Sequence, residues 1–353
     1  MIGSEKIQAI VAGTVHVLTQ RFGDVVQLGR RSVIPHLSHH REATEMDVEA
    51  VVPRGFCHGV VEAMTLARNA ARNPKTPRPI FVLGMLVHNQ HVIEELRQMG
   101  VMTLDGSDRL QLLEQVPEGA TVIFSAHGVS PAVRLRAEAR ALHVIDATCS
   151  DVFRTHQVIH DSVERGYFIV YVGTKNHPEP EGALGHAPSD HIALVTGVQD
   201  VAKIPFASDS PIAVITQTTL SQWDTEEIVQ ATVQRYPKAV VFNEICMATQ
   251  LRQHAIYEAS RRVDAVLVVG DARSNNTKKL VEVASRQGGV PAFRIDNADQ
   301  LDNINLEQFK KIAVTAGSST PSVVTRQVIR QLRTGTGSKN LEAETTTIEK
   351  ATD

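Results

Sequence analysis

The sequence predicts an α/β fold of three similar small units with mainly parallel sheets, set around a pseudo-three-fold axis. Three observations carry this expectation. From Asp47 onward, short β-branched runs alternate with stretches of helical periodicity, the pattern of parallel α/β folds. At 353 residues the chain is long enough for two or three domains of roughly 100–200 residues each, and it has more strand-like runs than one sheet would hold. The three cysteines, Cys57, Cys149 and Cys246, stand 92 and 97 residues apart. Each closes a strand-like run and precedes a helix, in VEAVVPRGFC, VIDATC and VVFNEIC. In parallel sheets ligands sit beyond the carboxyl ends of strands, so each cysteine is placed to reach a shared centre.

The elements follow in order. Val48–Val52 reads as a strand, Val60–Asn73 as a helix, Pro79–Leu83 as a strand and Val92–Met99 as a helix. Further strand-like runs are Thr121–Phe124, Val144–Ile145, Phe168–Val172, Ile192–Val195, Ala213–Ile215, Val240–Phe242, Ala265–Val269 and Ile312–Val314. Between them, Pro131–Leu142, Val152–Arg165, Thr225–Arg235, Thr249–Val263, Lys278–Arg286 and Val323–Leu332 carry apolar residues at helical spacing. The expected units are 47–145, 146–245 and 246–335. Residues 1–46 form an extension without βα alternation, and 336–353 form a polar tail that reads as disordered. Met46 stands just before the first strand, and a chain beginning there is expected to fold and act as the full chain does.

Composition narrows the function classes. Lys+Arg 36 against Asp+Glu 39 leaves no global basic field for nucleic acid or an anionic membrane, so an anionic ligand must be caught locally. Hydrophobic residues at 42% and charged residues at 21% exclude disorder of the bulk. Apolar runs such as Ala265–Val269 fall far short of the roughly 18 residues of a membrane span. An odd count of three cysteines makes no disulfide framework and points to a reducing, cytoplasmic setting. The apolar stretch Ile7–Leu18 is interrupted by Gln8 and His16 and lacks a cleavage site, unlike a secretory signal. Glu5, Asp24, Glu42 and Glu45 weaken a transit-peptide reading of the same region.

Three thiolates are one short of a closed structural zinc site, yet they suit a four-iron cluster left with one open iron. Three unrelated buried cysteines, acting as small core residues, would give the same spacing. Polar clusters at other strand ends add weight to a site. They are Leu86–Asn89, Phe124–Gly128, Gly173–Glu179, Thr216–Thr219, Ser274–Thr277 and Ala316–Pro321. The last two precede helices, whose free N–H groups favour phosphate; capping explains one such cluster but not six. In His177–Pro178–Glu179 the proline fits a first helical turn, which puts Glu179 near the helix start. For Glu179 to deliver protons at neutral pH, burial or a nearby reduced cluster must raise its pKa. Glu181 would face the other side of that helix, so Glu179 is the favoured acid.

In the motifs PRGFC, VHN, SAHGVS, DATC, HPE, TQTTLS, CxATxxRQ, SxN and TAGSSTP, in one order from about Val48 to Leu332, the sequence resembles the LytB/IspH family of 4-hydroxy-3-methylbut-2-enyl diphosphate reductases. The resemblance implies a trefoil of three α/β domains around one [4Fe–4S] cluster, with Cys57, Cys149 and Cys246 as ligands and one iron open. It implies that His88, His127, Ser274, Asn276 and Ser319 hold the diphosphate of a small allylic substrate, with His177, Thr218 and Asn275 also among the substrate-binding residues. It makes His177, Thr218 and Glu179 the catalytic group, with Glu179 the proton donor, and it implies an external electron donor such as ferredoxin or flavodoxin. The expected reaction is the reductive dehydroxylation that yields isopentenyl and dimethylallyl diphosphate. Three departures stand out: Ser150 where the family has proline, Asn275 where serine is frequent, and the 46-residue front. Two other readings are a non-redox iron–sulfur dehydratase resembling quinolinate synthase, and a binding protein that senses iron or diphosphate.

Overall fold

The computed structural model describes residues 46–334; the predicted extension and tail lie outside the described residues. The chain begins β1 (Asp47–Ala50), α1 (His58–Arg72), β2 (Ile80–Leu83), α2 (Gln90–Gln98), β3 (Val101–Leu104), α3 (Arg109–Leu113), β4 (Thr121–Phe124), α4 (Pro131–Ala139) and β5 (His143–Asp146). It continues α5 (Ser150–Glu164), β6 (Phe168–Val172), α6 (Pro178–Leu184), β7 (Ile192–Val195), α7 (Val198–Val201), β8 (Ile212–Thr216), α8 (Gln222–Arg235) and β9 (Val240–Phe242). The last third is α9 (Met247–Ser260), β10 (Ala265–Val269), α10 (Asn275–Glu282), β11 (Ala292–Ile295), β12 (Lys311–Ala316) and α11 (Ser322–Thr334).

The strands form three four-stranded sheets in the orders β3-β2-β4-β5, β7-β6-β8-β9 and β11-β10-β12-β1, and every pairing is parallel. Within each unit the spatial order is second, first, third, fourth strand. The α/β class and the three-fold repetition are thus as the sequence predicts.

Each sheet is covered on both faces, and its inner strands are buried at nearly every position. In β2, Ile80 and Val82 pack into one cluster with α1, while Phe81 and Leu83 pack into another with Val133 and Ala137 of α4. The middle sheet divides alike, with Val170 and Val172 on one side and Ile169 and Tyr171 on the other. In β10, Val266 and Val268 face α9 and α10, and Ala265, Leu267 and Val269 face α11. Fully burying a Val, Leu, Ile or Phe side chain stabilises by roughly 1.5–3 kcal/mol, so two-faced inner strands dominate the stability of each unit.

Four details differ from expectation. The first strand does not join the 47–145 unit: β1 pairs with β12, Val48 against Ile312 and Ala50 against Val314, so it completes the last sheet. Val48 is buried there among Leu267, Ile312 and Val328, a destination that βα alternation cannot disclose. The edge strands β3 and β11 were not predicted, since both are half-exposed and lack a continuous apolar run. The helix expected over Lys278–Arg286 starts earlier, at Asn275, and ends in a wider π-helical turn over Val283–Gln287. The strand β5 spans the boundary expected at 145/146. Among the described residues no helix is long and apolar enough to cross a membrane.

Candidate active site

Each cysteine is the residue that opens a helix: Cys57 at α1, Cys149 at α5 and Cys246 at α9, each with non-helical backbone and none capping with its side chain. The preceding strands, β1, β5 and β9, are the fourth strands of the three sheets. Each cysteine N–H then donates to the loop after the third strand, Cys57 to Ser318 O at 3.1 Å, Cys149 to Ala126 O at 3.1 Å and Cys246 to Thr218 O at 3.0 Å. The three thiols are free and half-buried, and they line one cavity. Burial pushes the Cys149 thiol up to about 12, against the N–H groups of Asp151 and Val152 at the start of α5. Burial raises Cys246 too, opposed by Thr249, whose hydroxyl lies 3.2 Å from its Sγ. A bound metal would supply the charge that turns these thiols into thiolates.

Two further loops per unit supply the polar groups. After each first strand a glycine N–H crosses to the second strand's end, Gly84 to Leu104, Gly173 to Val195 and Gly270 to Ile295. Four residues later come His88, His177 and Ser274. Gly84 has φ +81°, and a Cβ there would fall on the Arg109 guanidinium, so glycine is required for this turn. After each third strand come Ser125–His127, Gln217–Thr219 and Ser318–Thr320. The six polar clusters of the sequence are therefore two equivalent loops repeated three times.

His88, His127 and His177 meet, with ring centroids 4.4, 5.1 and 5.4 Å apart. Burial is the first cause of low basicity in each, taking His88 to about 4, His177 to about 3 and His127 well below its usual 6.5. All three are neutral at pH 7. The Nδ1 of His177 faces two donors, the Glu179 N–H and Gln217 Nε2, each at 3.2 Å, so its own proton belongs on Nε2. Among the described residues, no Lys or Arg lines the cavity. The site thus offers directional neutral donors to an anion.

These histidines make a testable demand on stability. Their folded pKa values lie below the unfolded value, so the stability they contribute is present above about pH 6.5 and lost as pH falls toward 4 and 3. His156, buried and near 3, adds to the loss. Glu179 acts oppositely, but one carboxyl is outnumbered by four imidazoles, each worth about 1.4 kcal/mol per tenfold change in proton affinity. The urea midpoint of the cluster-free protein should drop between pH 7 and 5; a flat profile would contradict neutral buried rings.

Glu179 is 2% exposed. Its Oε1 accepts the Thr218 N–H at 2.7 Å, and the Thr218 hydroxyl also reaches it. Burial nevertheless wins and raises its pKa to about 7, with Thr218 and Gln217 opposing. It exchanges a proton near neutrality. Glu181 is absent from the cavity lining; it lies beside Arg109, whose backbone N–H faces its carboxylate, and burial raises its pKa. Ser319 Oγ donates to His88 O at 2.9 Å and lies 3.4 Å from Ser274 Oγ. Asn276 accepts from Thr249 Oγ1 at 3.1 Å, while Asn275 donates to Thr174 Oγ1 at 3.1 Å, which links the last unit to the middle one.

Comparison with known proteins gives one answer. A family model described as LytB protein matches residues 48–333. The chain belongs to the LytB family. Two LytB-family relatives are named 4-hydroxy-3-methylbut-2-enyl diphosphate reductase. That of Symbiobacterium thermophilum is 51% identical over 287 residues, covering 81% of this chain and 97% of its own. That of Halalkalibacterium halodurans is 49% identical over 284 residues, covering 80% and 90%. Among solved structures, the E-1-hydroxy-2-methyl-but-2-enyl-4-diphosphate reductase of Plasmodium falciparum superposes with TM-score 0.76 at 34% identity, covering 81% of this chain and 87% of that one.

In this LytB-family chain the cavity brings together all twelve residues singled out in the sequence: Cys57, His88, His127, Cys149, His177, Glu179, Thr218, Cys246, Ser274, Asn275, Asn276 and Ser319. It encloses about 670 Å³, open mouth included. Sequence reasoning gave no role to Gln217, which holds His177, or to Thr249, which joins Cys246 to Asn276, although both sit inside the quoted motifs TQTTLS and CxATxxRQ. Gly59 was also overlooked. A Cβ there would stand 2.3 Å from Cys149 Sγ, so Gly59→Ala must turn that thiol away. Overpacking of this kind costs about 1–3 kcal/mol. The variant should fold yet retain much less iron after anaerobic reconstitution; wild-type iron content would show that the thiol has no fixed place.

Proposed function

We propose that this chain reduces 4-hydroxy-3-methylbut-2-enyl diphosphate to isopentenyl and dimethylallyl diphosphate, taking up two electrons and two protons and releasing water. The observation that carries the reading is one cavity that joins three free cysteines from three strand ends, three neutral histidines and a buried glutamate titrating near 7. Cys57, Cys149 and Cys246 would hold one [4Fe–4S] cluster with one iron free of protein ligands. The donor set fits it: no fourth cysteine exists in the sequence, and Gly59 leaves space beside Cys149 Sγ that a methyl group would fill. When bound, the cluster supplies the electrons and a Lewis-acidic iron.

The chain's own residues do the rest. The N–H donors of His88, His127 and His177, with Ser274, Asn276 and Ser319, bind the diphosphate and fix the substrate's orientation. The Thr218 backbone N–H holds Glu179 Oε1, and the Glu179 carboxyl with the Thr218 hydroxyl hands a proton to the departing hydroxyl group. Burial keeps that carboxyl protonatable, and Val87 and Ala126 give the cavity apolar lining. Electrons come from an external carrier such as ferredoxin or flavodoxin.

Anaerobic reconstitution, iron and sulfide counting, and an assay with a chemically reduced viologen test the reading. Four irons per chain and formation of both diphosphate products are expected. Turnover without reductant would favour the dehydratase reading, and binding with no turnover would favour the sensor.

A further inference from the structure

Arg252, on α9 six residues after Cys246, is 4% exposed, and none of the roles above uses it. Its Nη2 donates to Gly55 O at 2.8 Å, two residues before Cys57, and its Nη1 donates to Ala248 O at 2.9 Å, two residues after Cys246. The Nε is buried without a partner. No carboxylate of the described residues pairs with this guanidinium. A buried cation without a counter-charge is destabilising, so something of opposite sign belongs beside it. Once ionised on a metal, the sulfurs of Cys57 and Cys246 are the opposite charges that would reach it, while burial acts against it.

We propose that Arg252 is the built-in counter-ion of the metal centre: it ties together the segments bearing Cys57 and Cys246, and its fixed charge sets the reduction potential. A thiolate-bound cluster is anionic and gains negative charge with each electron, so a nearby fixed cation stabilises the reduced form and raises the potential. Two hydrogen bonds to backbone carbonyls keep the guanidinium in place without neutralising it. Arg252 is therefore a positioning residue and touches no substrate. The inference rests on the cluster reading above.

The test compares the reconstituted wild-type protein with Arg252→Lys and Arg252→Gln, using iron content and a redox titration followed by electron paramagnetic resonance. Lys should keep iron and a potential near wild type. Gln should shift the potential negative, with about a tenfold lower reduced-to-oxidised ratio at fixed potential, 59 mV for a one-electron couple. A Gln variant that loads no cluster while Lys loads one also supports a requirement for charge. A wild-type potential in Gln, a shift in Lys as large as in Gln, or failure of both to load would overturn the proposal in favour of a purely structural role. A wild-type protein that takes up no iron would overturn the cluster reading and this inference with it, whereas the variants decide the inference alone.

Discussion

Cys149→Ser, purified without oxygen, is expected to carry little iron and to lose nearly all reductase activity. Each unit delivers a single thiol from a single strand end, so no neighbouring cysteine can substitute. Burial pushes the Cys149 thiol up to about 12, so binding to a metal is what would displace its proton. A serine hydroxyl is a far weaker acid and is not displaced in this way. Its oxygen is smaller than sulfur, so it fits beside Gly59 without strain and the fold should persist. Iron and sulfide counts after reconstitution, with circular dichroism for folding, give the readout. A folded variant with full iron content would remove Cys149 from the ligand set.

Glu179→Gln is expected to keep the cluster spectrum and substrate affinity while turnover falls about 10²–10⁴-fold, the usual contribution of a general acid. The amide oxygen can still accept the Thr218 N–H, so shape survives and only the titrating proton is lost. A second signature separates this from misfolding. The folded pKa of Glu179 is raised to about 7 from its usual 4.5, so its stability contribution is complete below 4.5 and lost as pH rises through 7. The Gln variant should lack that loss and be relatively more stable at pH 8. In the wild type, the rate should fall above neutral pH as the carboxyl ionises. A variant within a few-fold of wild type would move the proton donor elsewhere, although Glu181 is already engaged with Arg109.

Much of this architecture was legible because its signals are local. Runs such as Ala265–Val269 and Phe168–Val172 are continuous apolar segments between helical periods, which only a two-faced buried strand explains. The chemistry-bearing residues announced themselves by type, since cysteine, histidine and small hydroxyl residues recur at strand ends where a core would prefer Val or Ile. Relations across the chain were not legible. Nothing near Val48 says that its partner is Ile312 rather than a strand of the next unit. Val101–Leu104 and Ala292–Ile295 are half-exposed edges with diluted patterns. The supporting contacts escaped as well: Gln217 and Thr249 are ordinary residue types whose meaning comes from what stands opposite them after folding.

The return of the first strand to the last sheet has a consequence for how the molecule is made. On the ribosome, Asp47–Ala50 emerges early and stays an unpaired edge until Lys311–Ala316 follows it, some 260 residues later. The two sheets between can close as they appear, since each draws all four strands from one continuous stretch. Cys57 cannot take its place until then, because its own N–H waits for Ser318 O. A site that joins all three cysteines can therefore form only after Ser318 has been made: a nascent chain halted before residue 311 would have two of the three cysteine loops in place.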